Sequence, residues 1–201
     1  MSQSGTPGVT LDSRFNMRNS FIRGFAMLIV PPVLLVIILL AHNFYFLEYF
    51  HVVAGSMWTG MDLILGIFFS YVMRGLDNFE KTRISMRLTP TMLYFMPAIS
   101  ASTITAGIYT AIALHIPFSS PYIVAALVIS AILFVEGIGI FLPNELRVYN
   151  EILHGAKNTE KIVRLTMLNL KLSLVQVIFQ IAIILVMAHF AVGVNYPQLK
   201  Q

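Results

Sequence analysis

The chain has 201 residues, of which 57% are hydrophobic and only 11% are charged, with 13 Lys and Arg, nine Asp and Glu, and a formal net charge of +4. Soluble domains carry about 25% charged residues. So few charges cannot cover a water-exposed surface, and the composition excludes a soluble enzyme, a disordered chain and a nucleic-acid module. It indicates an integral membrane protein in contact with the lipid bilayer.

The first 20 residues are polar and predict a mobile cytoplasmic tail. A hydrocarbon core of about 30 Å needs about 20 apolar residues per helix, and five stretches qualify, at about 24–42, 47–73, 91–115, 121–142 and 169–192. We therefore predict an all-α membrane bundle of five transmembrane helices in a single domain over 21–196. Pro31-Pro32 should kink or locally break the first helix, which is added to a core of four.

The segments between these helices complete the predicted topology. Residues 143–168 are too polar to span a membrane, and they predict a cytoplasmic helical loop. This loop would be a separate helical hairpin, or it would extend the fourth and fifth helices around His154-Gly155. Residues 197–201 would form a short outer tail.

The cations indicate an orientation in the cell membrane. Three segments on one side of a five-helix alternation, 1–23, 74–87 and 147–171, hold 12 of the 13 Lys and Arg. Lys and Arg are enriched in cytoplasmic loops. The N-terminus is therefore predicted in the cytoplasm and the C-terminus outside.

This orientation sorts the five histidines. Only His154 lies on the cytoplasmic side, whereas four lie near the outer ends of four different helices, namely His42, His51, His115 and His189. Imidazole is the commonest metal ligand and also holds haem iron, so converging rings would form a ligand site. The alternative is that each ring bonds only to water and lipid headgroups.

The second helix has the sharpest local pattern. His51, Gly55, Trp58 and Asp62 fall on one stripe at about 100° per residue, with Asp62 about 16 Å below His51 and near mid-bilayer. The gap at Gly55 would admit a neighbouring helix or a flat macrocycle. An ionisable group at that depth is costly and suggests function. The alternative is a protonated Asp62 that bonds to a neighbouring helix.

Two further polar features lie within the predicted helices. Glu136 in the fourth helix, with Asp62, would provide steps of a proton or ion path, although the neighbouring glycines equally suit close helix packing. The fifth helix has a polar stripe for which interhelical hydrogen bonding is favoured over substrate contact. It consists of Asn169, Ser173, Gln176 and Gln180.

The motif from His51 to Gly60, His-Val-Val-Ala-Gly-Ser-Met-Trp-Thr-Gly, resembles the characteristic helix of a superfamily of small membrane proteins. This superfamily includes the copper-resistance D (CopD) family and HemJ-type protoporphyrinogen oxidases. The segment from Arg87-Leu-Thr-Pro90 to Gly107 is also similar to the HemJ-type helix that comes next, and the likeness covers about residues 47–192. It implies a bundle of four helices, haem b held through His51, or a role in copper handling.

Three functions are expected on these grounds. The first is a haem-b protein of electron transfer, a membrane oxidoreductase component if it is an enzyme at all. The haem iron, or a copper ion, would bind His51 and His115, and His189 or His42 would be other ligands. Trp58 and Gly55 would lie beside the cofactor. The second is a copper-ion permease with Asp62 and Glu136 on its path. The third is an accessory subunit of a larger membrane complex, or a homo-oligomer, without chemistry of its own.

Overall fold

A computed structural model describes residues 17–195 of the chain. These residues form seven helices without any strand, and two π-helical segments, Ile64–Phe69 and Gly137–Phe141, join α2 to α3 and α5 to α6. The helices are α1 (Met17–Leu40), α2 (Phe44–Leu63), α3 (Ser70–Arg74), α4 (Asn78–Ala113), α5 (Pro121–Glu136), α6 (Leu142–Leu153) and α7 (Thr159–Asn195). The predicted all-α bundle is confirmed. Most of the predicted N-terminal tail and the whole outer tail lie outside the described residues.

The long helices have the length and composition that crossing a membrane requires. Within the described residues, four continuous helical stretches qualify, and Gly24–Leu40 is a shorter apolar helix. The four stretches are Phe44–Arg74, Asn78–Ala113, Pro121–Leu153 and Thr159–Phe190. Many large apolar side chains on these helices are exposed, as expected for surfaces in contact with lipid. The protein is a multi-pass membrane protein.

Helix α1 continues through Pro31 and Pro32 without a break. Its buried positions, Gly24, Pro31 and Leu35, lie on one stripe, and α1 packs mainly against α4. A Cβ atom at Gly24 would collide with the ring of Tyr94 on α4. The first helix is therefore held against the bundle at a point where only glycine fits.

Helix α4 begins at Asn78, well before the apolar stretch predicted from about residue 91. The reason is a capping box, in which the Asp77 side chain accepts from the Glu80 N–H at 2.8 Å and the Glu80 side chain accepts from the Asp77 N–H at 3.2 Å. Pro90 and Pro97 lie inside the helix. Because α4 packs against α1, α2, α6 and α7, it forms the centre of the bundle.

Helices α6 and α7 continue the fourth and fifth apolar stretches into a hairpin at the cation-rich end. The turn places Gly155 at φ +87°, and the N–H of Ala156 donates to the carbonyl of Glu151 at 2.8 Å, as in a helix-ending Schellman motif. Lys161 and Glu151 form an ion pair at 2.6 Å across the hairpin. The hairpin packs on α4 through a buried cluster of Met86, Val148, Ile152, Ala156, Ile162 and Leu165.

A glycine in the first π-helical segment marks the tightest contact between that segment and α7. A Cβ atom at Gly66 would lie 2.9 Å from Leu174 Cγ and 3.0 Å from the Leu174 backbone nitrogen. At Gly60, earlier in the same helical stretch, a Cβ atom would meet nothing within 4 Å. The two glycines therefore allow a matched comparison.

We predict that Gly66→Ala lowers the free energy of unfolding by about 1–3 kcal/mol, because the backbone of α7 must move to admit the methyl group. Gly60→Ala should leave stability unchanged or raise it by up to about 1 kcal/mol through helix propensity. Thermal unfolding of the detergent-purified variants measures both effects. Equal melting temperatures for the two variants would contradict the close contact of Gly66 with α7.

Candidate functional site: a membrane-embedded cavity with two carboxyl groups

A cavity of about 220 Å³ lies between α2, α4, α7 and the stretch from α5 to α6. Most of its wall is apolar and includes the aromatic side chains of Trp58, Phe134 and Phe141. Its polar lining consists of Asp62, Ser100, Glu145, Thr166, Asn169, Ser173 and Gln176. No Lys, Arg or His is among the described residues that line it. The cavity therefore has two acidic groups and no basic one.

Asp62 is the deepest of these groups, with 0% of its side chain exposed. Its Oδ2 atom accepts a hydrogen bond from Gln180 Nε2 at 2.8 Å, which joins α2 to α7. Trp58 and Ser173 lie beside the carboxyl group. Within the part of the chain that the structure describes, the other oxygen, Oδ1, has no hydrogen-bond partner, and neither has Gln180 Oε1. The Oδ1 atom of Asp62 can therefore accept a hydrogen bond from a ligand.

The polar stripe of α7 makes interhelical hydrogen bonds, as its spacing predicts. Gln180 bonds to Asp62, and Asn169 Nδ2 donates to Glu145 Oε1 at 2.9 Å. Asn169 also accepts from Asn144 Nδ2 at 2.9 Å. Because Asn169, Ser173 and Gln176 also line the cavity, the same stripe both joins helices and faces the cavity.

Glu145 is a site residue that the sequence reasoning missed, because it was counted with the polar loop 143–168. Among the described residues, neither its buried Oε2 atom nor Oγ1 of Thr166 has a hydrogen-bond partner, and Thr166 lies three residues before Asn169 on α7. The available signal was the spacing of Asn144, Val148 and Ile152, which are all buried. That stripe predicts a helix that turns one face into the bundle and brings Glu145 to its edge.

Glu136 is buried, as its place in the apolar stretch suggests, but it does not line the cavity. Its Oε2 atom has no hydrogen-bond partner. Glu136 is the residue directly before the second π-helical segment, and Asp62 lies two residues before the first. π-Helical turns within α-helices are frequent at functional sites, and each of these two comes after a buried acid.

His51 has a defined position against α4. Its Nδ1 atom lies 3.0 Å from the carbonyl oxygen of Thr103. A Cβ atom at Gly107 would lie 2.7 Å from His51 Cε1, so the ring occupies a notch that only glycine leaves open. Gly55 faces α4 as well, since its Cβ position is 3.4 Å from Thr103 Cγ2. The gap at Gly55 therefore receives a neighbouring helix.

Backbone conformation or a ring contact describes the other three outer histidines. His42 and His115 adopt left-handed backbone conformations, with φ +48° and +53°. At His115 the N–H of Ile116 donates to the carbonyl of Ala111 at 3.1 Å, so that this residue ends α4 in a Schellman motif. The His189 ring stacks on Tyr122, with 3.7 Å between ring centroids. Among the described residues, no group of three or more His, Asp or Glu could hold a metal ion.

Comparisons with family models, with curated proteins and with solved structures find no match to this chain. The resemblance to CopD and HemJ-type proteins therefore stays a prediction. The function has to be inferred from the cavity and from the placement of the buried polar groups.

We predict that Gln180→Leu lowers the free energy of unfolding by about 1–3 kcal/mol, because Asp62 loses its hydrogen-bond donor in a buried place. The double variant Asp62→Leu/Gln180→Leu should be less destabilised than the sum of the single variants, since no orphaned polar group remains. A double-mutant cycle of unfolding free energies in detergent measures this coupling. Strict additivity would show that the two side chains do not interact.

Proposed function

We propose that this protein is a membrane carrier for a small cation, which binds in the cavity at Asp62. The observation that carries the proposal is a completely buried carboxyl group whose Oδ1 atom is without a hydrogen-bond partner among the described residues and whose cavity has no basic residue in its described lining. A carboxylate inside a membrane is costly unless a proton or a cation neutralises it. Asp62 therefore has to exchange a proton for a cation, or one cation for another, whenever the cavity is emptied and refilled.

The groups around Asp62 support a cation rather than an anion. Ser173 and Gln176 contribute a hydroxyl and an amide to the cavity wall, and the free Gln180 Oε1 is a further oxygen beside Asp62. Oxygen atoms of this kind bind hard cations and ammonium groups. An anion would meet only the negative charge of Asp62 and Glu145.

The distribution of charge supports an orientation for transport. The segments at the turn between α3 and α4 and at the hairpin of α6 and α7 carry most of the Lys and Arg. By the positive-inside rule these segments face the cytoplasm of a cell membrane. Glu145, in α6 near the hairpin, would then lie on the cytoplasmic side of the cavity and Asp62 deeper in the membrane.

Copper(I) is one cargo that the cavity would admit. Met92 and Met96 lie four residues apart on α4 and both line the cavity. Thioether sulfur is a soft ligand that selects Cu(I), so these two side chains with Asp62 would give a mixed donor set. Thioethers are also ordinary space-fillers in an apolar wall, and for that reason the cargo is decided by experiment.

We predict that Asp62→Asn reduces cation-driven proton efflux from inside-acid proteoliposomes to the rate of protein-free vesicles. The cations to add outside are potassium, guanidinium, 1,4-diaminobutane and copper(I), and trapped pyranine reports the internal pH. Glu48→Gln is the matched control, because Glu48 is an exposed acid on the same helix. Flux through Asp62→Asn as fast as through the unaltered protein would refute the proposal.

Haem binding at His51 is a second candidate with an observation of its own. Metal-ligating histidines usually donate their other ring N–H to a carbonyl or carboxylate, and Thr103 supplies such a carbonyl to Nδ1. His51 therefore fits one axial position through Nε2. The contacts of His51 are with Thr103 and Gly107 of α4, whereas the His189 ring stacks on Tyr122 of α5.

We predict that, if His51 binds haem, the purified protein mixed with haem b shows a Soret shift that His51→Ala abolishes. Gly107→Ala should lower the affinity for haem at least tenfold, because the added methyl group displaces the imidazole. His154→Ala is the control, since His154 lies in the hairpin turn, where its Nδ1 is 2.8 Å from the Asn150 carbonyl. A Soret shift that survives His51→Ala would reject His51 as the ligand.

A role as an accessory subunit or homo-oligomer would use the exposed apolar faces of α1 and α2, which carry many large side chains. Lipid covers such faces equally well. A stable stoichiometric complex that purifies from the native membrane, together with no cation flux in vesicles, would favour this role over transport.

A further inference from the structure

We propose that the cavity is a binding site for an aliphatic diamine, with one ammonium group at Asp62 and the other at Glu145. This inference rests on the proposed carrier function and names its substrate class. It depends on a feature that a site for a simple metal cation does not need, namely two acids that line one largely apolar cavity and are bonded to different turns of α7.

Each end of the cavity has the same construction. At the deep end, Gln180 occupies one oxygen of Asp62 and leaves Oδ1 free. At the other end, Asn169 occupies one oxygen of Glu145 and leaves Oε2 free. A carboxylate that already accepts one fixed hydrogen bond still has room for an ammonium donor on its second oxygen. The cavity thus offers one open acceptor oxygen on each acid.

Thr166 gives independent support at the Glu145 end. Its side chain is only 3% exposed and lines the cavity, and its Oγ1 atom has no hydrogen-bond partner. Buried hydroxyl groups are almost always hydrogen-bonded. A second ammonium group beside Glu145 would supply the missing donor to Thr166.

The spacing of the two ends suits a short alkyl chain. On α7, Gln180 bonds to Asp62, Ser173 lies beside the Asp62 carboxyl group, and Asn169 bonds to Glu145. At 1.5 Å per residue, these anchor points are separated by about 6 to 16 Å along the helix axis. A chain of a few methylene groups with an ammonium group at each end spans the lower part of this range.

The wall between the acids is suited to methylene groups. Leu65, Met92, Met96 and Leu133 are among the apolar side chains there, and Trp58 flanks the deep end. Burying an alkyl chain against such a wall is favourable, and an aromatic face near an ammonium group adds a cation–π attraction. A hydrated inorganic cation would gain no such stabilisation from this apolar wall.

A divalent metal ion is a poorer fit for the same acids. An ion bound by both carboxylates would need them within about 2.0–2.6 Å of a single point, whereas Asp62 and Glu145 are bonded to different turns of α7. Among the described residues, no cluster of three metal-capable side chains exists. Two separate positive charges match the arrangement better than one doubly charged ion.

Trp58 makes the test direct, because it is the sole Trp of the 201 residues and lines the cavity beside Asp62. The full-length protein in detergent is titrated with 1,3-, 1,4-, 1,5- and 1,6-alkyl diamines and with monoamines of matched length, and Trp58 fluorescence is recorded. We expect the best diamine to bind at least tenfold more tightly than its matched monoamine. Equal affinities along the whole series would overturn the proposal.

Variants assign the two ends separately. Glu145→Gln should lower diamine affinity to the level of the monoamine and leave monoamine affinity unchanged, whereas Asp62→Asn should weaken both ligands. Glu151→Gln is the control, since this acid pairs with Lys161 in the hairpin outside the cavity. A Glu145→Gln protein that still prefers diamines would overturn the assignment of the second ammonium group.

Glycine substitutions test the same site without altering an acid, which keeps the proposal testable if the acid variants do not fold. A Cβ atom at Gly137 or at Gly139 would meet nothing within 4 Å, but only Gly137 lines the cavity. Gly137→Leu should abolish the Trp58 response to diamines, and Gly139→Leu should retain it. Equal binding by both variants would place the ligand elsewhere and overturn the proposal.

The failure of this inference is distinguishable from failure of the carrier function. If diamines have no advantage but Asp62→Asn still stops cation-driven proton efflux, only the diamine class is wrong. If Asp62→Asn leaves efflux intact, the carrier function itself is wrong, whatever Trp58 reports.

Discussion

A polar side chain in the hydrocarbon core must find its hydrogen-bond partner inside the protein, and this constraint explains the arrangement of the bundle interior. The bond from Gln180 to Asp62 joins α2 to α7, and the bonds of Asn169 to Glu145 and Asn144 join α7 to α6. Apolar packing alone gives little selectivity between helices in lipid, because lipid tails are equally apolar. These few bonds therefore fix which helices are neighbours and which face of α7 points inwards.

Close contact at small residues provides the second constraint on the bundle. Gly24 admits the ring of Tyr94 and Gly107 admits the ring of His51, while Gly66 lets the Leu174 backbone approach. Each contact brings another helix against its neighbour at a point where a methyl group would not fit. Two of these contacts hold α1 and α2 against α4, which lines the cavity together with α2, α7 and the α5–α6 stretch.

The long helices and one of the two cavity acids, Asp62, could be predicted from the sequence. Apolar length predicts the long helices, and the stripe of His51, Trp58 and Asp62 correctly marks the interior face of α2, because helical periodicity is a local property. Glu145 was not predicted, because it lies in a segment with many charges, and such a segment has the sequence pattern of a solvated loop. Its burial depends on α7, which packs against it. The left-handed conformations of His42 and His115 were also hidden, because a left-handed residue that ends a helix depends on the chain that comes after it.

The two π-helical segments have a consequence for how the faces of their helices relate to one another. A π turn holds about one residue more than an α turn, and one residue corresponds to about 100° of helical rotation. Residues after Phe69 and after Phe141 therefore point in directions that an unbroken α-helix would not give them. Removing a single residue from either segment would leave the rest of the sequence unchanged. It would nevertheless rotate the part of the helix after the segment away from its present neighbours. Helix length at these two points is thus as much a determinant of the interior as side-chain identity.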